Sequence, residues 1–169
     1  PQYNEEYYES CDLLMGISKQ TKFINEIVLG DKAKNKLIKY LPHGLNSNYF
    51  YSLPEIDPIL IRFKQNIFQG KIPKFSLLFN SRNIRRKQIP DTILAWRLFT
   101  EQLSPKERDN VRLILHTEDV SDHGTDLHAV IDYFSEGEDG YQYSDIKLDP
   151  SRLSTEQMNY LYNSVDGVI

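Results

Sequence analysis

The chain is expected to fold as α/β, with a parallel sheet and helices on both of its faces. Three observations carry that expectation. Short apolar runs alternate with amphipathic stretches along the whole length, the pattern that crossover connections between parallel strands require. The run Phe75 to Phe79 (FSLLF) is apolar but for Ser76 and does not alternate, as suits a parallel strand covered on both sides; a half-exposed antiparallel strand would alternate. After it, a polar turn crowded with positive charge leads into an amphipathic helix, and turns of this kind sit at the carboxyl edge of open α/β sheets, where such folds bind ligands.

Composition supports a folded domain. Of 169 residues, 40% are apolar and 26% charged, which excludes a disordered chain. Eleven tyrosines and eight phenylalanines supply enough ring area for a well-filled core. The net charge of -4 argues against a surface built to lie along nucleic acid, so no nucleic-acid partner is expected and the basic turn is a local feature. A single cysteine, Cys11, excludes an internal disulfide and a cysteine-rich metal site. Beside Leu13-Leu14-Met15 it is expected to be buried. The longest apolar runs fall far short of the about 20 residues a bilayer requires, and a reducing cytoplasm is the expected compartment.

Residues 3–10 read as the end of a helix, and Leu13 to Ile17 as a buried strand. Ser18 is placed to cap a helix whose Phe23, Ile24, Ile27 and Val28 share one face before Gly30 ends it. Leu37 to Leu41 is a second strand, closed by Pro42-His43-Gly44, with His43 read as a hinge residue. Asn46 to Pro58 has no sustained period and reads as a connection between two bodies. Ile59, Leu60, Phe63 and Ile67 recur at helical spacing up to Gly70, and the central strand follows.

Pro90 and Asp91 suit the first turn of the next helix, with Leu94, Ala95, Leu98 and Phe99 as its expected buried stripe. Ser104 to Asn110 is a polar connection and Val111 to His116 a strand. Thr125 is the expected cap of a helix carrying Leu127, Val130, Ile131 and Phe134. Gly137 and Gly140 break the chain, and Tyr143 to Leu148 is a weaker strand. Ser154 and Gln157 form a capping box, Leu153 can staple to Met158, and Asp166 to Ile169 reads as a last strand.

Three pieces, in this order, resemble one family. Ile17-Ser18-Lys19, followed by Tyr40-Leu41-Pro42-His43-Gly44-Leu45-Asn46 and Phe50, looks like the crossing between the acceptor-side and donor-side domains of group-one (family 4) glycosyltransferases. Phe79-Asn80-Ser81-Arg82 with Lys87 is similar to that family's glycine-arginine and lysine-glycine pair. Leu153-Ser154 through Leu161-Tyr162 and Asp166-Gly167-Val168-Ile169 looks like the helix and strand before its glutamate-containing donor motif. Ser81 and Gln88 stand where the family has glycines, which puts close backbone approach to phosphate in doubt.

The resemblance implies a Rossmann-like parallel sheet with flanking helices, a partial GT-B architecture. Residues 1–53 would then be the end of an acceptor-side domain with the interdomain linker, and 54–169 the first part of a nucleotide-sugar-binding domain, as in a fragment of a longer enzyme. It implies a retaining, metal-independent sugar transfer from a nucleotide-sugar donor to an unknown acceptor. No cofactor is implied, and a full-length protein of this type would be cytoplasmic or peripheral at the membrane. Arg82 and Lys87 would bind the donor diphosphate, whose growing negative charge, without a metal, must be met by preorganised cations and helix N–H groups.

Beside those, His116 and Glu118 at the end of a strand serve either a nucleotide site or the ordinary polarity of a loop. Tyr143 to Lys147, including Ile146, lies where the family's base-binding loop falls. Arg85 and Arg86 read as solvated charges. Asp122, His123, Asp126 and His128 do not converge as metal ligands do, and Asp126 suits a helix N-terminus. Self-association through open sheet edges is expected. A non-catalytic module that grips phosphate or nucleic acid through the basic turn is the alternative reading.

Overall fold

The computed structural model describes residues 4–135 and 145–169. The expected breaks at Gly137 and Gly140 and the start of the expected strand at Tyr143 lie outside the described residues. The chain divides into two compact units, residues 1–47 and 48–169.

The first unit is a β-α-β element preceded by a short helix. Helix α1 (Glu5–Ser10) leads to β1 (Leu13–Gly16), α2 (Lys19–Leu29), a 3-10 turn over Gly30–Asn35 and β2 (Leu37–Tyr40). The strands pair in parallel, with Leu13 opposite Leu37. Ser18 caps α2 as expected, its hydroxyl accepting from the Thr21 N–H, and Gly30 ends the helix with φ 53°. The helix crosses β1 at Gly16, where a Cβ would lie 2.7 Å from the Lys22 nitrogen.

That close crossing decides which face of α2 is covered. Asn25 and Leu29 are buried, whereas Phe23, Ile24 and Ile27, expected inside, are exposed. Likewise β1 is not a buried strand: Leu14 is covered, but Leu13, Met15 and Ile17 are exposed, because one helix covers one face of a two-stranded sheet. Cys11 is also exposed, contrary to expectation. Its backbone is held at the end of α1, where the carbonyl accepts from Lys36 Nζ at 2.9 Å.

The second unit is a three-layer α/β/α sandwich, a Rossmann-like arrangement. Its elements are α3 (Pro58–Ile67), β3 (Phe75–Asn80), α4 (Ile89–Thr100), the short α5 (Pro105–Arg108), β4 (Val111–His116), α6 (Leu127–Ser135), β5 (Ile146–Leu148), α7 (Thr155–Asn163) and β6 (Gly167–Val168). The strand order is β5-β4-β3-β6 and every pairing is parallel. Because side chains alternate across a sheet, Leu77, Phe79, Leu113 and Leu115 pack with α4 and α6, while Leu78 and Ile114 pack with Ile67 of α3 and Leu161 of α7. This double coverage is what the non-alternating apolar run of β3 predicts.

The expected Ser154–Gln157 capping box is formed, and Asp57, inside the segment read as a connection, caps α3. The Ser104 connection contains α5, closed by a second capping box with Glu107. In α6 the cap is Asp126 rather than Thr125: the Asp126 carboxylate accepts from the Ala129 N–H, while the Thr125 backbone is used by Asn83. The last strand is tied down by Asp166, whose carboxylate accepts from the Ser76 N–H at 2.7 Å and hydroxyl at 3.0 Å.

The largest departure is the rotation of α4. Ile89, Ile93, Trp96 and Thr100 face the core, and the expected stripe of Leu94, Ala95, Leu98 and Phe99 does not. The helix is apolar nearly all round, so two stripes compete. The i, i+4, i+7, i+11 set wins because it delivers the Trp96 indole N–H to the buried Asp145 carboxylate at 2.8 Å.

Candidate functional site

Parallel strands put all their carboxyl ends on one edge. Here β3 ends at Asn80, β4 at His116, directly opposite Asn80 in register, and β5 at Leu148. The loops that follow enclose a cleft of about 350 Å³ lined by Asn80, Ser81, Arg82, His116, Thr117, Glu118, Asp149, Pro150 and Ser151. Its volume lies at the small end of the range for ligand sites.

One wall of the cleft is fixed by polar bonds to a buried asparagine. Asn83 is 2% exposed. Its amide donates to the carbonyls of Glu118 (3.1 Å) and Thr125 (2.7 Å), and its oxygen accepts from the Thr125 N–H (3.1 Å). The Arg85 N–H adds a bond to the His123 carbonyl at 2.9 Å. Gly124 lies against this asparagine so closely that a Cβ would come within 2.1 Å of its side-chain oxygen. The loop after β3 and the loop after β4 are therefore stitched into one wall. Sequence reading missed Asn83, one of several uncharged polar residues in the basic turn, and nothing local marks its partners.

On the opposite side, Asp149 accepts from the Ser151 hydroxyl at 2.6 Å and faces His116 Nδ1 at 3.1 Å. Asn80 donates to the Tyr162 hydroxyl at 2.6 Å, which fixes the floor to α7. Asn159 and Asn163, one turn apart on α7, bind the backbone of Tyr51 and Leu53. The residues just after the first unit are thereby strapped to this helix.

The expected site residues separate into two groups. Arg82, His116 and Glu118 share the cleft, and the Arg82 side chain is exposed, with no hydrogen bond or ion pair among the described residues. Lys87 is not brought to it. With Gln88, Asp91 and Thr92 it borders a different hollow of about 570 Å³, whose apolar wall is Phe75, Leu77, Ala95, Trp96, Phe99 and Ile169.

The separation follows from the backbone. Arg85–Lys87 wind into a 3-10 turn, and Gln88 takes a left-handed conformation (φ 49°, ψ 45°) before α4 begins. The first turn of α4 lines that hollow as well, and its Pro90 has no N–H to offer an anion. Ile146 sits in β5 opposite Leu113 and packs into the core beneath α4 and α6. Of the other charged candidates, Asp126 caps α6 and His128 pairs with Asp119 at 3.2 Å. Among the described residues no group of three or more His, Cys, Asp or Glu is placed to hold a metal ion, and no helix is long and apolar enough to cross a membrane.

Asp145 lies in the core, 2% exposed, against Trp96. Burial raises its pKa above the ordinary carboxylate value, opposed by the Trp96 N–H, its own backbone N–H and the charges of Arg112 and Arg108.

No protein-family profile and no curated protein matches the chain.

Proposed function

We propose that this chain serves a glycosyltransferase reaction, in which the cleft at the ends of β3, β4 and β5 takes the nucleoside diphosphate of an activated sugar. The observation that carries the reading is an arginine, Arg82, with no side-chain partner among the described residues, on a loop pinned by the buried Asn83, at the mouth of a cleft on the carboxyl edge of a parallel sheet. As the sugar–phosphate bond breaks, charge grows on the diphosphate, and a preorganised guanidinium lowers the cost of that charge. The motif resemblance supplies the reaction class, a retaining transfer to an acceptor of unspecified chemistry.

The separation of Lys87 sharpens the test. In calorimetric titrations of the 169-residue chain with GDP and UDP, Arg82→Ala is expected to weaken binding about tenfold, the order of one charge-assisted hydrogen bond or somewhat less, whereas Lys87→Ala changes it little. Equal affinity for wild type and Arg82→Ala would remove the assignment.

A non-catalytic phosphate-binding module is the second reading, favoured by the exposed Arg85, Arg86 and Lys87 on the same turn. It requires binding to a phosphorylated polymer that falls steeply with salt and is lost on replacing those three residues.

A further inference from the structure

We infer that the cleft holds its nucleotide in one direction, with the phosphates on Arg82 and the nucleoside's hydrogen-bond donors on His116 Nε2, the imidazole being set by Asp149. This rests on the nucleotide reading above and adds the orientation and the group that reads the nucleoside.

The cleft is electrostatically two-sided. The wall that joins the loops after β3 and β4 carries the Arg82 guanidinium, with Glu118 beside it, and the loop after β5 on the opposite side carries the Asp149 carboxylate paired with His116. A diphosphate is attracted to the first wall and repelled by the second, whereas hydroxyl, amino and imino groups are donors that suit carboxylates and a neutral imidazole.

The pairing of His116 decides what it offers. A carboxylate only accepts. Asp149 already receives the Ser151 hydroxyl on Oδ1, and its Oδ2 lies 3.1 Å from His116 Nδ1. The Nδ1–H therefore donates to Asp149, and in the neutral ring the lone pair stands on Nε2. That nitrogen has no partner among the described residues, although the His116 side chain is only 14% exposed. A ring nitrogen held in one tautomer and facing a cleft is an acceptor open to a ligand donor. Ribose hydroxyls and the amino or imino edge of a base present the same chemistry to it. Asp149 acts through the ring as a positioning residue.

The test is calorimetric titration of the 169-residue chain with pyrophosphate, GDP, UDP and the 2′-deoxy forms of both nucleotides. Arg82→Ala should weaken pyrophosphate and nucleotide alike. His116→Phe should weaken GDP or UDP about tenfold, the loss of one ligand hydrogen bond, and leave pyrophosphate unchanged. Asp149→Asn, which frees the ring to take the other tautomer, should act in the same direction and more weakly; thermal unfolding of each variant verifies that it is folded, and His116→Gln replaces the phenylalanine variant if that one is not.

If ribose is the donor, the 2′-deoxy forms lose affinity in wild type and lose no more in the His116 variant. If the base is the donor, ribo and deoxy forms bind alike and the ratio of GDP to UDP affinity changes instead. Nucleotide affinity unaffected by the His116 variants, or pyrophosphate weakened as much as nucleotide, overturns the inference while leaving the nucleotide reading intact. Wild type that binds neither nucleotide nor pyrophosphate overturns both.

Discussion

Asn83→Ala is expected to destabilise the second unit by about 1–3 kcal/mol, the cost of leaving polar groups without their partner. Three backbone groups lose their bonds: the carbonyls of Glu118 and Thr125 and the N–H of Thr125, all part-buried. Gly124→Ala attacks the same contact from the other side, because its Cβ would overlap the asparagine oxygen and its backbone carbonyl, at 2.1 and 2.4 Å. Overpacking of this kind costs about 1–3 kcal/mol. Urea denaturation measures both, as a lower midpoint with an unchanged slope. Because the clamp also holds the Arg82 loop, the surviving folded fraction should bind nucleotide more weakly. Stability of Asn83→Ala equal to wild type would mean that the two loops are not joined as described.

Trp96→Phe is expected to cost about 2–4 kcal/mol above the pH range in which Asp145 ionises, combining a lost hydrogen bond to a charged group, about 1.5–3 kcal/mol, with a small cavity. The cost is pH-dependent through Asp145. Burial raises the folded-state pKa of that carboxyl, so the native protein binds a proton at pH values where the unfolded chain has released it. Stability in wild type consequently falls as pH rises from the ordinary carboxylate range through the raised value, and recovers on acidification. Removing the indole N–H takes away a group that favours the charged form and moves the carboxyl further up. The difference between Trp96→Phe and wild type should therefore be largest above that range and shrink as pH falls through it. A difference that stays constant with pH would show that the indole–carboxylate bond does not act on Asp145 ionisation.

The sheet was legible because its signals are local. The FSLLF run of β3, the capping boxes and the glycine stops lie within a few residues of the structures they specify. The orientation of α4 was not, since apolar residues surround it and the choice between stripes is made by Asp145, 49 residues from Trp96 along the chain. Phe23, Ile24 and Ile27 of α2 misled for a related reason: an apolar stripe predicts burial only if something covers it. At the site, the position of Arg82 on the carboxyl edge followed from strand–turn–helix order. The grouping of Arg82 with His116 and Asp149, and its separation from Lys87, depend on the Asn83 clamp and on the left-handed Gln88, which neither charge pattern nor spacing encodes.

Backbone amide shifts of the 15N-labelled chain, followed during titration with GDP and with UDP, test the proposed binding of a nucleoside diphosphate beside Arg82. Saturable shifts concentrated at Ser81, Arg82, Thr117, Glu118 and Ser151 are expected, with those at Lys87 and Asp91 small. Shifts gathered instead around Lys87, Asp91 and Phe99, or none at millimolar nucleotide, would contradict it.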